Sequence, residues 1–182
     1  MKNGEQEIFM LVATPHLHDM FRFFDRNVIV VQKLANGEHR GSTINRKRVE
    51  RPDLGSCTTI LLAGPQDPKE MKCLLSIVDG SVYYDWQDDE SSAPPGDPVF
   101  SKDRGNHLFL CAGDSGWGVG QLEEEIARGD WYKIDLDANL ISDSDWETIW
   151  ERSVKQLGGN PDDYGSDKND GSFVTMKFQP SE

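Results

Sequence analysis

Short apolar runs alternate with polar punctuation along this chain, and their spacing predicts strands first and helices toward the C-terminal end. Glu7–Ala13 is almost wholly apolar and closes on Pro15, which predicts a buried strand. Met20–Phe24 is an apolar patch expected to pack over the core. Asn27–Gln32 is a second β-branched run, and Asn36-Gly37 after it is a hairpin signal because both residues tolerate positive φ. Arg40–Asn45 is expected to return antiparallel. Cys57–Leu62 is β-branched and strand-like, with turns marked by Gly64-Pro65 and Asp67-Pro68. Met71–Val78 and Ser81–Trp86 flank Asp79-Gly80, a second hairpin signal.

Asp88–Asp103 is acidic and rich in Pro and Ser, which predicts an irregular surface loop. His107–Ala112 reads as a strand feeding a tight glycine turn, and Gln121–Arg128 as a helix with Leu122 and Ile126 on one face. Glutamates at its start and Gly129 after its end suit that assignment. Trp131–Leu136 alternates as a half-buried strand does. Ser144-Asp-Trp-Glu147 has the form of a capping box ahead of a helix carrying Trp146, Ile149, Trp150, Ser153, Val154 and Leu157, which Gly158-Gly159 ends. Asn160–Asp170 is polar and reads as a flexible stretch, and Ser172–Phe178 as an added edge strand.

The pattern predicts one α+β domain over residues 1–158, dominated by antiparallel hairpins, with an acidic, partly flexible tail over 159–182. The chain carries 32 acidic against 19 basic residues, a net charge of −13, which argues against binding DNA through neutralised phosphates. Three cysteines without CxxC spacing make neither a disulfide framework nor a zinc site, and imply reduced thiols in the cytoplasm. There is no apolar run of membrane-spanning length and no apolar core of a signal peptide at the N-terminus.

Candidate chemistry is sparse. Gly113-Asp-Ser-Gly116 matches the nucleophile segment of chymotrypsin-like proteases. None of His16, His18, His39 and His107 lies in the sequence context that such a base requires. Gly116-Trp-Gly-Val-Gly-Gln121 leads into a helix, but Gln121 replaces the last glycine of a dinucleotide fingerprint, and the acidic neighbours would repel a phosphate. His16, His18 and Asp19 resemble a partial metal set without a third protein ligand, so no metal and no cofactor is expected. Asn45-Arg-Lys-Arg-Val-Glu-Arg51 is the basic cluster of the chain and reads as a solvated loop apart from Asn45 and Arg46.

Gly113, Gly116, Trp117, Gly118, Gly120, Gln121, Leu122, Glu123, Glu125, Ile126 and Trp131 together resemble the signature of the YqgE/AlgH family of bacterial proteins. Asp114 stands where that family usually has Tyr. Phe9–His16 is similar to its opening strand. Gly41, Ile44, Asn45 and Arg46 match the close of its next hairpin, with Lys47 in place of a proline. Leu62-Ala-Gly-Pro65 matches a further turn, with Ala63 and Gln66 as departures. The resemblance runs in order from about residue 7 to 158. It implies a bent or pseudo-barrel sheet flanked by helices, and a cytoplasmic protein of unestablished activity, often labelled a regulator of transcription after one member. Family helices usual near residues 88–103 and after Arg46 are shortened here.

Two functional readings follow. In the first, the chain is a non-enzymatic binding or regulatory protein with a protein or small-molecule partner, acting on transcription indirectly and binding neither nucleic acid nor membrane. In the second, it is an enzyme whose pocket is lined by Asn45, Arg46, Asp114, Ser115 and Gln121. Gly113, Gly116, Trp117, Gly118, Gly120, Leu122 and Trp131 are expected to be structural, with Trp117 lodged in the core.

Overall fold

The computed structural model of the protein describes residues 7–17, 23–55, 57–86 and 105–163. The expectations for Met20–Arg22, Asp88–Asp103, the chain beyond Asp163 and the strand at Ser172–Phe178 lie outside these residues.

Among the described residues nine strands form one hydrogen-bonded sheet with three α-helices, an α+β fold built on one buried cluster. In chain order the strands are β1 (Ile8–Ala13), β2 (Val28–Lys33), β3 (His39–Thr43), β4 (Arg48–Glu50), β5 (Thr58–Leu62), β6 (Gln66–Val78), β7 (Ser81–Trp86), β8 (His107–Trp117) and β9 (Trp131–Ile134). The helices are α1 (Gln121–Arg128), α2 (Ala138–Ser142) and α3 (Ile149–Gln156). Both hairpins form where expected: β2 turns into β3 with Lys33 opposite His39, and β6 into β7 with Val78 opposite Ser81. Asp79 and Gly80 take φ of 49° and 80°, as a tight hairpin turn demands.

The sheet has two halves that share β8. Leu108–Ala112 lies between β5, in the parallel sense, and β6, in the antiparallel sense. Ser115–Trp117 instead pairs with β3, which continues through β2 and β1 to β9. The strand changes partners between Asp114, still opposite Gln66 of β6, and Ser115, opposite Gly41 of β3, just after Gly113, whose φ of 73° costs a residue with a Cβ roughly 1–2 kcal/mol. The glycine segment expected to be a turn is therefore mostly strand, and the turn is confined to residues 118–120. The pairing path ends at β4 and β9, so it is open.

Three further expectations need correction, and one helix was not expected. Asp67-Pro68 lies inside β6 beside register shifts rather than in a turn. The basic run expected to be a solvated loop contains β4. The capping box does not form: Thr148 precedes α3 without a side-chain cap, and its hydroxyl is spent on the Asp145 carboxylate at 2.7 Å. The short α2 has no forerunner in the sequence reading; Asp137 caps it by accepting from Asn139 and Leu140 N–H.

β1 and β2 form the centre of the core, with Met10–Ala13 and Val28–Val31 fully buried. Helix α3 packs on β1, where Trp150 donates its indole N–H to Ala13 O at 2.8 Å.

Candidate functional site

A relay of hydrogen bonds runs through the glycine motif from its exposed turn to two buried indoles. Gln121 Oε1 accepts from Gly118 N–H at 3.0 Å, while its Nε2 donates to Glu125 Oε1 at 2.9 Å. Glu125 Oε2 then accepts from the indole N–H groups of both Trp117 and Trp131, each at 2.9 Å. The two indoles meet edge-on at 6.2 Å, and Phe24 closes the aromatic group against both. Trp117 is buried, as its place in the motif predicts. Leu122 is buried beneath the helix that carries this relay. Glu125 is the residue whose role sequence reasoning missed. Its spacing from Gln121 placed it on the same helix face, but nothing local showed that it would serve two tryptophans.

Asp114 and Ser115 are buried in β8. Asp114 faces the guanidinium of Arg40 at 3.4 Å, and Arg40 also donates to Gln66 Oε1 at 3.2 Å. Ser115 Oγ has no hydrogen-bond partner among the described residues. His16 is exposed, whereas His18 and Asp19 lie outside the described residues. Among the described residues no group of three or more His, Cys, Asp or Glu is placed to hold a metal. Cys57, Cys73 and Cys111 are free thiols and buried. No helix among the described residues is long and apolar enough to cross a membrane.

Asn45 and Arg46 stand elsewhere. They line an open cavity of about 410 Å³ with Asp25, Arg26 and Asn27 on one side, and Glu147, Trp150, Glu151, Pro161 and Asp162 on the other. Asp114, Ser115 and Gln121 are not in this lining, so the two candidate turns do not share the cavity.

The local bonding explains the cavity's shape. Asn45 Oδ1 accepts from Val28 N–H at 2.8 Å and its Nδ2 donates to Arg26 O at 2.9 Å, bracing the entry to β2 against the exit from β3. Arg46 donates to Phe23 O and lies 4.5 Å over the Phe23 ring. Arg26 is an exposed non-glycine residue with φ of 57°, and its guanidinium lies 5.5 Å from the Trp150 ring. Such left-handed backbone in a non-glycine residue is uncommon and concentrates at functional sites. Two guanidinium groups and four carboxylates therefore surround one indole in a single concavity.

The neighbouring cations have other employment. Arg48 turns inward and donates to Ile44 O, Ile141 O and Asp143 O at 2.8, 2.9 and 3.0 Å, tying β4 to the end of α2. Burial pulls its pKa down to about 10, with Asp143 acting in the opposite sense. Arg51 is bound to Asp53 at 2.6 Å.

Comparison with known proteins adds four findings. A family model described as AlgH-like matches residues 10–162. A UPF0301 protein of Chlorobium limicola is 43% identical over 54 residues, 30% of this chain, and the match spans 29% of that relative's length. A UPF0301 protein of Shewanella denitrificans is 28% identical over 166 residues, covering 82% of this chain and 89% of the relative. The solution structure of the AlgH protein from Pseudomonas aeruginosa superimposes with a TM-score of 0.53 at 19% identity, over 88% of this chain and 93% of that one, a likeness of fold.

Proposed function

The chain belongs to the AlgH-like family, and on that footing we propose that it is a non-enzymatic binding protein with a regulatory role, whose ligand sits in the cavity at the Asn45–Arg46 turn. The observation that carries this reading is Arg26: a left-handed arginine, its carbonyl held by Asn45, at the wall of the cavity of about 410 Å³. Strain kept at a concave, polar site is the mark of a site held ready. The lining presents Arg26 and Arg46 together with Asp25, Glu147, Glu151 and Asp162, which suits a small molecule or peptide terminus bearing both charges. The motif residues Trp117, Gln121 and Glu125 support that core and do no chemistry in this reading.

A cytoplasmic setting and an indirect part in transcription complete the proposal. Arg40, Arg48 and Arg51 spend their charge on Asp114, on backbone carbonyls and on Asp53, which supports a role without direct nucleic-acid contact. The test is a titration of the full chain with amino acids and short peptides, read by amide and indole NMR shifts. We expect shifts at Asn27, Arg46 and the Trp150 indole, lost in Arg26→Ala. A screen that finds no ligand and no protein partner, together with measurable turnover of some substrate, would refute the proposal.

A further inference from the structure

Strand β4 stands at the rim of the sheet, and among the described residues it pairs with β5 alone. Leu62 N–H donates to Lys47 O at 3.0 Å and Arg51 N–H to Thr58 O at 2.9 Å. In an antiparallel pair, residues bonded to the partner alternate with residues whose N–H and C=O point away. Lys47, Val49 and Arg51 thus face β5, and the backbone groups of Arg48 and Glu50 are directed outward, a template for another strand.

The side chains alternate as well. Val49 lies opposite Ile60, Ile60 beside Leu110, and Leu110 opposite Leu74. This apolar row is on the outer face of the sheet: Val49 and Leu74 are 42% and 39% exposed, whereas the adjacent row of Leu61, Cys111 and Cys73 is buried. Lys47 and Arg51 are two residues either side of Val49, so they share its face. The outer face of the rim strand therefore reads cation, valine, cation. Lys47 is exposed and forms no ion pair with the described residues, and Arg51 keeps 40% exposure beside Asp53.

We propose that β4 is a docking edge for an extended segment of a partner protein with the pattern acidic–x–apolar–x–acidic, added as a further strand outside β4. The backbone of Arg48 and Glu50 supplies the ladder, Val49 receives the apolar side chain, Lys47 receives one carboxylate, and Arg51 exchanges its exposed partner Asp53 for the other. The charge argument selects the partner. With a net charge of −13 the molecule repels an acidic peptide over most of its surface, and four of its 19 basic residues fall within Arg46–Arg51. At physiological ionic strength screening acts over about 8 Å, which takes the distant carboxylates out of account and leaves the exposed Lys47, without an ion pair among the described residues, as the charge that governs the approach. This inference is independent of the cavity.

The probe is a fluorescently labelled, end-blocked peptide Thr-Glu-Thr-Ile-Thr-Glu-Thr, titrated with the full chain and read by anisotropy. Saturable binding is expected, with amide shifts confined to Arg46–Arg51 and Thr58–Leu62. Lys47→Glu, and a peptide with Lys in place of Glu, should each weaken it about tenfold or more. Glu50→Pro removes one outward N–H at a rim position that tolerates proline, and should abolish binding. Should that variant unfold, N-methylation of alternate peptide residues removes the same ladder bonds from the ligand side. No binding, equal binding of the charge-reversed peptide, binding that survives N-methylation, or shifts located at the cavity would each overturn the proposal.

Discussion

Glu125 ties both tryptophans of the glycine motif to one carboxylate. Its Oε2 accepts from two largely buried indoles, and Gln121 holds its other oxygen. Glu125→Ala leaves both indole N–H groups without an acceptor, and each unmet donor costs about 1–3 kcal/mol. We expect a loss of about 2–4 kcal/mol in chemical denaturation; a loss below about 1 kcal/mol would show that water replaces the carboxylate.

His39 gives a pH prediction. Burial holds its imidazole below the ordinary histidine range. Glu123 on α1, with Nε2 to Oε1 at 3.9 Å, and Glu7 pull upward, and Lys33 on β2 and Lys133 on β9 push downward. Between the folded value and the unfolded value of about 6.5, the unfolded chain binds more protons, so stability rises with pH through that window. It is full above about 6.5 and is lost as the pH falls toward the folded value. Thermal melts between pH 7.5 and 5 (roughly one unit or more either side of the unfolded value) should show a decline on acidification that His39→Gln reduces. An equal decline in that variant would assign the effect to other groups.

At the scale of elements, the decisive feature is β8. At its joint, a Cβ on Gly64 would lie 2.1 Å from the carbonyl carbon and oxygen of Asp114, so the two backbones approach as only glycine permits. Gly64→Ala must push β8 or the Gly64 segment aside, at about 1–3 kcal/mol or more. Denaturation midpoints test this, and an unchanged midpoint would mean that the segment yields freely.

Local signals explain which elements were legible. Asn36-Gly37 and Asp79-Gly80 announced their hairpins because the turn chemistry lies in the turn itself. The extent of β8 was hidden because glycine-rich sequence reads as turn, while its pairing with β3 joins residues far apart in the chain. β4 was hidden in a basic run because its strand character comes from pairing with β5 and from the inward bonds of Arg48. The burial of Trp117 was legible from the glycines around it. The cavity was legible only in part: Asn45 and Arg46 carried the family pattern, but Glu147, Trp150 and Asp162 reach them through tertiary packing alone.

At the scale of the molecule, a long-range argument from the net charge of −13 is true on average and fails locally. The cations that remain are placed with economy: Arg40 beside Asp114, Arg48 under α2, Arg26 and Arg46 at the cavity wall, Lys47 at the rim. Ligand binding at the cavity should stabilise the whole fold, because its walls come from both the β2–β3 region and the C-terminal helix.

β8 also sets the order in which the protein can be made. Until residues 107–117 have emerged from the ribosome, β3 and β5 lack the strand that joins them, and β1 waits longer still for β9 at residues 131–134. A nascent chain stalled near residue 100 would hold apolar strands with one side open, and would need a chaperone's shelter that the finished protein does not.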